Sequence, residues 1–319
     1  MAGRTMPAPP APADTTDERP RRAGRPPRTG GRRTRRDRWT GLALSSPAWA
    51  LLLFAVGVPL VVAAVTSLTD ENLVSLEARS FIGWQNYVTE VFTPDFVSAL
   101  RVTTLVIVLS VVVQLPIGLG LALLLVKPLH GKGALRALIS LPMMLTPVAV
   151  GLVFRFVADP DLGAVRWIAS LVDDTWQPNL LGTPWGALGL VVVVNSWINI
   201  PFVTLLLLAA LVGVPDDLYE AAALDGAGRW RTLTRITLPS IAPVLAVTAA
   251  LRVAADYRMF DLVFIITRGG PGDSTVNLSM LAYQESMVNF QLGRACAVAV
   301  AMAVLALPFY WFFNRMMRA

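Results

Sequence analysis

The sequence predicts an all-α polytopic membrane protein with six transmembrane helices. Of its 319 residues, 55% are hydrophobic and 15% are charged, a composition too apolar for an ordinary soluble domain. The apolar residues fall in blocks of about 20 or more, the length that a helix needs to cross roughly 30 Å of hydrocarbon. Buried helices of a large soluble protein are the alternative, but so many blocks leave too little polar chain to cover them.

The predicted spans follow these blocks along the chain. They are Pro47–Leu68, Leu100–Val126, Leu135–Val157, Trp185–Val212, Ile241–Thr267 and Gly293–Phe313. Basic residues cluster before the first span, after the second, between the fourth and fifth, and at the C-terminus, whereas the intervening segments are mainly acidic. Because cytoplasmic segments are enriched in lysine and arginine, both termini are expected in the cytoplasm. This topology accounts for the net charge of +6 without a nucleic-acid partner.

A basic tail, residues 1–38, precedes the first span and holds eleven arginines among Pro, Gly and Ala. Such a composition cannot bury a core, so the tail is expected to be disordered and cytoplasmic, with the transmembrane domain at 39–319. A cleavable or twin-arginine signal is the rival, since Arg35 and Arg36 precede the apolar run. That run is longer than a signal-peptide core and has no small-residue cleavage site, which favours an uncleaved first helix.

Residues for catalysis or metal binding do not stand out in the sequence. No glycine-rich loop is followed by Gly-Lys-Ser/Thr, so no ATP site is expected. The lone Cys296 lies in the sixth span and can build neither a disulfide nor a thiolate metal site, and His130 is the one histidine. We therefore expect no metal site, no cofactor and no enzyme activity in this chain.

Two asparagines in the fourth span are candidate contacts for a solute. Asn195 and Asn199 are four residues apart just before Pro201, so their amides share one face of a helix that the proline bends. Amides offer both donors and acceptors, as the hydroxyl groups of a sugar require. Hydrogen bonding between helices is the alternative role for such residues.

The fifth span carries charged residues, each of which costs about 2.5–3.5 kcal/mol to insert in a membrane. Arg252 and Asp256 are four residues apart and Arg258 and Asp261 are three apart, so each pair is expected to share a helix face. Either the pairs only neutralise each other or they line the path of a solute. For the second pair, a structural lock near the outer interface is a further alternative.

The loop between the fourth and fifth spans, residues 214–239, has the most specific pattern in the chain. A short helix containing a Glu-Ala-Ala triplet at Glu220 is expected first, with aspartates at its positively charged N-terminal end. Gly226 breaks it, and a second helix is expected over Arg229–Leu238, ended by Pro239. Small alanines let such a helix enter a groove of a partner protein. An ordinary amphipathic loop is the alternative.

Four stretches carry a resemblance to a known family, from about Phe81 to the C-terminus. They are Phe81–Tyr87, Asn195-Ser196-Trp197 with Pro201, the Glu-Ala-Ala loop, and Phe260-Asp261 through Gly269-Gly270-Pro271-Gly272. In them the chain resembles the sugar-permease subunits of ATP-binding-cassette (ABC) importers, specifically the maltose-permease-like first member of a heterodimeric pair. The resemblance implies a type I ABC importer transmembrane fold in the bacterial cytoplasmic membrane.

The resemblance also implies partners for the chain. These are a second homologous permease subunit, a homodimeric ABC ATPase that binds ATP and Mg on the cytoplasmic side, and an extracytoplasmic solute-binding lipoprotein. The Glu-Ala-Ala loop would couple the ATPase to the membrane subunit. The residues that match the coupling motif are Glu220, Ala221, Ala222, Asp225 and Gly226.

Two stretches match those that contact the substrate in maltose-type permeases. Carried over position by position, they implicate Asn195, Ile198, Asn199, Phe202, Arg252, Ala255, Asp256 and Met259. The chain departs from the maltose pattern at Arg252 and Asp256, which replace small or amide side chains, and at Ala255, where an aromatic ring would stack on the sugar. Residues 252–261 are more similar to permeases for trehalose and related glucosides in actinobacteria.

The function that the resemblance implies is ATP-driven, binding-protein-dependent import of a carbohydrate by alternating access. A disaccharide such as trehalose is the expected solute. Another solute, such as a polyol, glycerol phosphate or an oligosaccharide, is the first alternative. An ion-driven secondary transporter with Asp256 as its ion or proton site is the second, although the internal repeats common in such folds are not evident in the sequence.

Overall fold

The computed structural model describes residues 35–74, 79–128, 130–173, 175 and 178–318. The α-helices in these parts are α1 Arg35–Leu52, α2 Val58–Thr66, α3 Pro94–Val126, α4 Lys132–Ser140, α5 Pro147–Val157, α6 Ala164–Ser170, α7 Pro184–Val212, α8 Asp216–Leu224, α9 Arg229–Thr232, α10 Leu238–Tyr257, α11 Asp261–Ile266, α12 Leu278–Tyr283 and α13 Leu292–Arg318. Short π-helical turns lie at Leu53–Gly57, Tyr87–Val91, Leu233–Thr237 and Gln284–Val288, and a 3₁₀ turn at Leu141–Met144.

The chain divides into two compact units between Gly57 and Val58. The first unit contributes α1 and the π-helical turn that follows it, and apolar side chains such as those of Leu51 and Leu53 are exposed there. The second unit carries α2 to α13 and every site discussed below. The predicted tail, residues 1–38, lies outside the described residues except for its last four, with which α1 begins.

Five of the described helices are long and apolar enough to cross a membrane, and a bent pair makes a sixth span. The five are Ala43–Thr66, Pro94–Val126, Pro184–Val212, Arg229–Tyr257 and Leu292–Trp311. The pair is Lys132–Met144 with Pro147–Val157, which meet at 91°. The prediction of an all-α protein with six spans is confirmed, because these segments match the six apolar blocks in order.

The third span is broken where a single helix, Leu135–Val157, was expected. Leu145 and Thr146 are extended, with ψ angles of 145° and 136°, and Pro147 then begins α5. A proline disfavours the helical conformation in the residue before it and brings no N–H of its own to the preceding turn. The chain therefore turns sharply at this point and starts a new helix.

The fifth span is displaced from the predicted Ile241–Thr267 and runs from Arg229 to Tyr257. Pro239 had been expected to end a helix, but it does not. It lies in the first turn of α10, directly after a π-helical turn, where a missing backbone N–H is tolerated. The other end was also misplaced: the helix stops before Arg258, and Asp261 begins α11, so these two residues do not share a helix face.

The two longest helices of the second unit start with the same device. Thr93 precedes Pro94 at the start of α3 and accepts a hydrogen bond from the backbone N–H of Phe96 at 3.3 Å. Thr183 precedes Pro184 at the start of α7 and accepts one from Gly186 N–H at 3.2 Å. The threonine side chain accepts a hydrogen bond from a backbone N–H of the first turn that has no partner within the helix. The proline fixes φ near its helical value at the start of that turn.

Helices α3 and α7 pack closely against each other, and a glycine makes the approach possible. A Cβ atom added at Gly118 of α3 would lie 2.5 Å from Cγ1 of Val203 in α7. Below this crossing the two helices share an apolar cluster with α10 that includes Ala122, Leu207 and Ile241. The packing brings α3, α7 and α10 side by side, which sets their polar residues against one another.

At the opposite end of the second unit, the Phe81–Tyr87 stretch is tied to the start of α13. The amide of Asn86 is buried and donates to the carbonyl oxygens of Ser67 at 2.9 Å and Thr69 at 2.7 Å. Gly293 lies against the same segment of chain, since a Cβ there would overlap the Thr69 carbonyl oxygen. This polar-aromatic stretch is therefore part of the packed fold.

Candidate functional site: a polar cavity and a helical loop

Six polar side chains from three helices form one hydrogen-bonded network. They are Ser110 and Gln114 of α3, Asn195 and Asn199 of α7, and Arg252 and Asp256 of α10. Each pair is four residues apart in its helix and so lies on one helix face. The packing of α3 against α7 and α10 turns the three faces toward a common point.

Arg252 is the centre of the network, and each of its three guanidinium nitrogens donates to a neighbour. Nε donates to Gln114 Oε1 at 2.8 Å, and Nη1 donates to Asn199 Oδ1 at 2.8 Å. Nη2 donates to Asp256 Oδ1 at 2.5 Å, which makes an ion pair within α10. The guanidinium is thus held in one orientation by an acceptor from each of the three helices.

Asp256 and Asn195 complete the arrangement. Asn195 Nδ2 donates to Asp256 Oδ1 at 3.1 Å and to Ser110 Oγ at 3.0 Å, while Asn199 Nδ2 donates to Asn195 Oδ1 at 2.9 Å. The other carboxylate oxygen, Asp256 Oδ2, is buried and has no hydrogen-bond partner among the described residues. A buried acceptor without a donor is costly, so this oxygen needs a hydrogen bond that the described residues do not supply.

A cavity of about 370 Å³ opens beside the network, between α7, α10, α11 and the start of α5. Seven of the eight candidate substrate residues line it: Asn195, Ile198, Asn199, Arg252, Ala255, Asp256 and Met259. The eighth, Phe202, is not among the lining residues and packs against the apolar cluster shared by α3 and α7. Arg258 and Asp261 line the same cavity from the break between α10 and α11.

Sequence reasoning missed Ser110 and Gln114, which are both fully buried. Their signal was the same as the one that identified Asn195 and Asn199, because two polar side chains stand four residues apart inside an apolar span. Gln114 Oε1 orients the arginine, and its Nε2 atom has no partner in the described part of the chain. Arg252 and Asp256 form an ion pair with each other and also line the cavity.

The loop between α7 and α10 has the helix-turn-helix form that its sequence predicts. Pro215 precedes α8, and Asp216 and Asp217 occupy the first turn, where the helix dipole favours negative charge. Gly226 has φ of +69°, a left-handed conformation that ends the helix, and Ala227 N–H then bonds to the carbonyl of Ala222 at 2.9 Å.

The motif residues of this loop divide into two sets. Glu220, Ala221, Asp225 and Gly226 are exposed, and Ala222 is buried against the rest of the protein. The two most exposed large apolar side chains of the loop stand beside them, Leu224 at 90% and Trp230 at 75%. Sequence reasoning did not single these two out. Large apolar residues exposed on a polar loop are typical of a contact surface for another protein.

The loop also has a direct mechanical relation to the cavity. It connects the end of α7 to the start of the helix that continues into α10. These two helices carry Asn195, Asn199, Arg252 and Asp256, which are four of the six network residues. The loop is therefore continuous in the chain with two helices that form walls of the cavity.

A polar cavity between membrane spans, with two of its helices joined by an exposed helical loop, is the architecture of a membrane permease subunit. The chain belongs to the family of binding-protein-dependent transport system inner membrane components, whose sequence model matches residues 114–319. The resemblance to ABC importer permeases is thereby confirmed. The chain is a non-catalytic, multi-pass subunit of the bacterial inner membrane.

Similar proteins support this assignment. The chain is 34% identical over 229 residues to the trehalose/maltose transport system permease protein MalF of Thermococcus litoralis, covering 72% of this chain and 77% of that protein. It is 33% identical over 291 residues to the trehalose transport system permease protein SugA of Mycobacterium tuberculosis, covering 90% and 92%. A chain of a bacterial alginate ABC transporter, solved with an alginate pentasaccharide-bound periplasmic protein, shares the fold with a TM-score of 0.76 at 24% identity, covering 89% and 95%.

Proposed function

We propose that this chain is a permease subunit of an ATP-driven importer that takes up a carbohydrate, most specifically a disaccharide such as trehalose or a related glucoside. The observation that carries the proposal is the network of Arg252, Asp256, Asn195 and Asn199 beside the cavity. Two relatives whose names state trehalose as the transported solute support the choice of sugar.

The chemistry of the cavity favours a neutral, hydroxyl-rich solute. The positive charge of Arg252 is already paired with Asp256 in α10, so little of it is available to an anion. The unpartnered Oδ2 of Asp256 accepts a hydrogen bond from a donor such as a sugar hydroxyl. A phosphorylated solute such as glycerol phosphate would find no unpaired positive charge in this network, and its two negative charges would lie beside the carboxylate of Asp256.

The proposal includes the partners that such a subunit needs. A second homologous permease would complete the pathway across the membrane, and a homodimeric ATPase that binds ATP and Mg would act on the exposed residues of α8. An external solute-binding protein would deliver the sugar. Closure of the ATPase would move α7 and α10 together and so alternate the access to the cavity. This chain would contribute no cofactor and no metal to the cycle.

Uptake of radiolabelled sugars tests the proposal. A strain that lacks this chain is complemented with the wild type, with Asp256→Asn, or with Asp161→Asn as a control for an exposed carboxylate far along the chain from the cavity. Trehalose, maltose and a polyol are offered separately. We expect wild type and the control to restore uptake of one disaccharide, and Asp256→Asn to reduce it at least about tenfold, as loss of one buried polar contact predicts.

The outcomes separate the parts of the proposal. Unchanged uptake of all three solutes in the deletion strain would reject the proposed substrate class. Full restoration by Asp256→Asn would remove that carboxylate from the transport path. Uptake that follows an ion gradient and continues after the ATPase subunit is deleted would favour the ion-driven alternative with Asp256 as its ion site.

A further inference from the structure

A second, larger cavity lies at the end of the molecule opposite the helical loop. Helices α3 and α13 begin at this end, and α7 begins there before it descends to the loop. Because consecutive spans alternate in direction, this is the extracytoplasmic end when the loop is cytoplasmic. The cavity has a volume of about 500 Å³ and is walled by the turn at Tyr87–Val91, the start of α3 and the segment that joins α12 to α13.

The charge of this cavity is strongly unbalanced. Four carboxylates line it, from Glu90, Asp95, Asp273 and Glu285, and we call these four residues with their cavity the acidic pocket. A single basic side chain, that of Arg294, is among the lining residues. Asp95 and Asp273 are exposed at the rim, whereas Glu90 and Glu285 are buried at the base, with 8% and 7% of their surface exposed.

Glu285 at the base is incompletely satisfied. Its Oε1 atom accepts a hydrogen bond from Asn289 Nδ2 at 2.6 Å, and the backbone carbonyl of Glu285 accepts one from Gln291 at 2.8 Å. Its Oε2 atom is buried and has no hydrogen-bond partner in the part of the chain that the structure describes. A carboxylate oxygen buried without a donor, in a cavity that opens to the exterior, indicates that a donor is supplied by another molecule.

We propose that the acidic pocket is the docking site for a basic side chain, a lysine or an arginine, of the external solute-binding protein. The inference rests on the proposed function, in which such a protein delivers the solute. A cationic side chain supplies the donor that Glu285 lacks and opposes the four carboxylates. The exposed rim admits the side chain from outside, and the cavity is large enough to take a guanidinium or an ammonium group with its stem.

The position of the pocket gives the contact a consequence for transport. Its walls include the first turns of α3 and α13, and α3 carries Ser110 and Gln114 of the network around Arg252. A basic side chain drawn into the pocket thus bears on a helix that hydrogen-bonds to the residues lining the solute cavity. Complementary charge of this kind mainly sets the rate and the orientation of docking.

The affinity of the solute-binding protein for the whole transporter tests the proposal. The assembled transporter is reconstituted in lipid nanodiscs, and the Kd of the purified binding protein is measured for wild type, Glu285→Gln and Asp161→Asn. Glutamine keeps the size of the side chain and an oxygen for Asn289 but loses the charge. We expect Glu285→Gln to raise the Kd at least about tenfold and Asp161→Asn to leave it within about twofold.

A double-mutant cycle identifies the partner side chain. Each lysine and arginine on the surface of the binding protein is changed to glutamine and measured against both wild-type and Glu285→Gln transporters. One substitution should raise the Kd in the wild-type background and add little in the Glu285→Gln background. If no substitution couples to Glu285, or if Glu285→Gln binds like wild type, the proposal is overturned.

Two controls separate the docking of a basic side chain from the binding of a metal ion and from a failure of the proposed function. If millimolar CaCl₂ changes the Kd of the binding protein for the wild-type transporter but not for Glu285→Gln, and no lysine or arginine substitution in the binding protein changes it, the pocket takes a divalent cation. The proposal is then wrong. If the binding protein has no measurable affinity for the wild-type transporter, the proposed function fails as well. Normal binding by wild type with no effect of Glu285→Gln rejects the docking site alone.

Discussion

Arg252 and Asp256 form an ion pair that is buried inside a membrane span, with side-chain exposures of 6% and 2%. Such a pair is tolerated because each charge is neutralised and because neighbouring amides bond to Nε and Nη1 of the arginine and to Oδ1 of the aspartate. Removing one partner leaves the other charge buried and uncompensated, which costs about 3–5 kcal/mol in folded proteins. The two residues that line the cavity therefore also contribute to the stability of the fold.

The first prediction concerns this pair. Arg252→Gln should lower the free energy of unfolding of the purified subunit by about 3–5 kcal/mol, because Asp256 then lacks its counter-charge. The matched control is Glu71→Gln, which breaks the exposed ion pair with Arg79 at 3.3 Å and should cost less than about 1 kcal/mol. Melting in detergent, followed by fluorescence, measures both. Equal effects of the two changes would contradict the interpretation of a buried pair.

The second prediction concerns Glu90 in the acidic pocket. Burial, and next the carboxylate of Glu285, raise the pKa of Glu90 from 4.5 to about 7, while Arg294 lowers it and Asp95 adds to the rise. Asp273 is the remaining charged group that lines this pocket. Between pH 4.5 and pH 7 the folded protein binds more protons here than the unfolded chain does. The stability that this carboxyl contributes is therefore lost as the pH rises through that interval.

Glu90→Gln should flatten this dependence. Between pH 5 and pH 8 the melting temperature of the variant should fall by about 2–4 °C less than that of wild type, allowing for partial screening by solvent. The control is Asp159→Asn, since hydrogen bonds from the backbone of Leu162 and Asp161 lower the pKa of Asp159 and place its titration below this interval. A pH profile of Glu90→Gln that parallels wild type would refute the assignment.

At this scale the sequence predicted much of the cavity wall but not the residues of α3 that complete the network around Arg252. Asn195, Asn199, Arg252 and Asp256 were candidates because charges and amides inside apolar spans are costly and hence informative, and the resemblance to sugar permeases favoured them as substrate contacts. Which helix would supply the third acceptor to Arg252 depended on how α3 packs against α7 and α10. Spacing within one helix does not reveal that packing, so Gln114 was missed.

At the scale of whole elements, the crossing of α3 and α7 depends on a glycine. Gly118→Ala should destabilise the subunit by about 1–3 kcal/mol, because the new methyl group would meet Val203 at 2.5 Å and the backbone nitrogen of Thr204 at 3.3 Å. Gly120→Ala, two residues along the same helix, is the control, since nothing lies within 4 Å of its Cβ position. That change should be neutral or slightly stabilising.

The same melting assay measures both glycine variants. Loss of stability in both would indicate a general effect of alanine in α3, and loss in neither would mean that the crossing can relax. Only a selective effect of Gly118→Ala supports a close contact of the two helices at this glycine.

The elements show where prediction from sequence stops. Apolar blocks gave the number and order of the spans, because the thickness of a bilayer sets their length. They did not give the 91° break in the third span or the end of the fifth at Tyr257. The break follows from Pro147 within a run that remains apolar on both sides. The fifth span ends inside an apolar stretch, because Arg258 and Asp261 lie where the chain turns into the cavity wall.

For the whole molecule, the exposed loop is the proposed contact through which the ATPase moves the membrane helices. Glu220→Lys should reduce sugar uptake at least about tenfold while the subunit still assembles, because a reversed charge repels the basic group expected on the ATPase. The control is Arg136→Glu, an equal charge reversal at an exposed residue of α4, near the predicted cytoplasmic start of the third span. Uptake in membrane vesicles and ATPase activity are measured together. Normal uptake by Glu220→Lys would rule out this loop as the coupling element.

The length of the helix that follows the loop sets how far a tilt at the loop would displace Arg252. Arg252 lies roughly 35 Å from Arg229 along it, at a rise of 1.5 Å per residue, so a tilt of about 5° at the loop moves the guanidinium by about 3 Å. That displacement equals the whole length of a hydrogen bond. A small rotation of this helix would therefore break the three hydrogen bonds of Arg252, and the proposed ATPase would need to displace the loop only slightly to change the shape of the cavity.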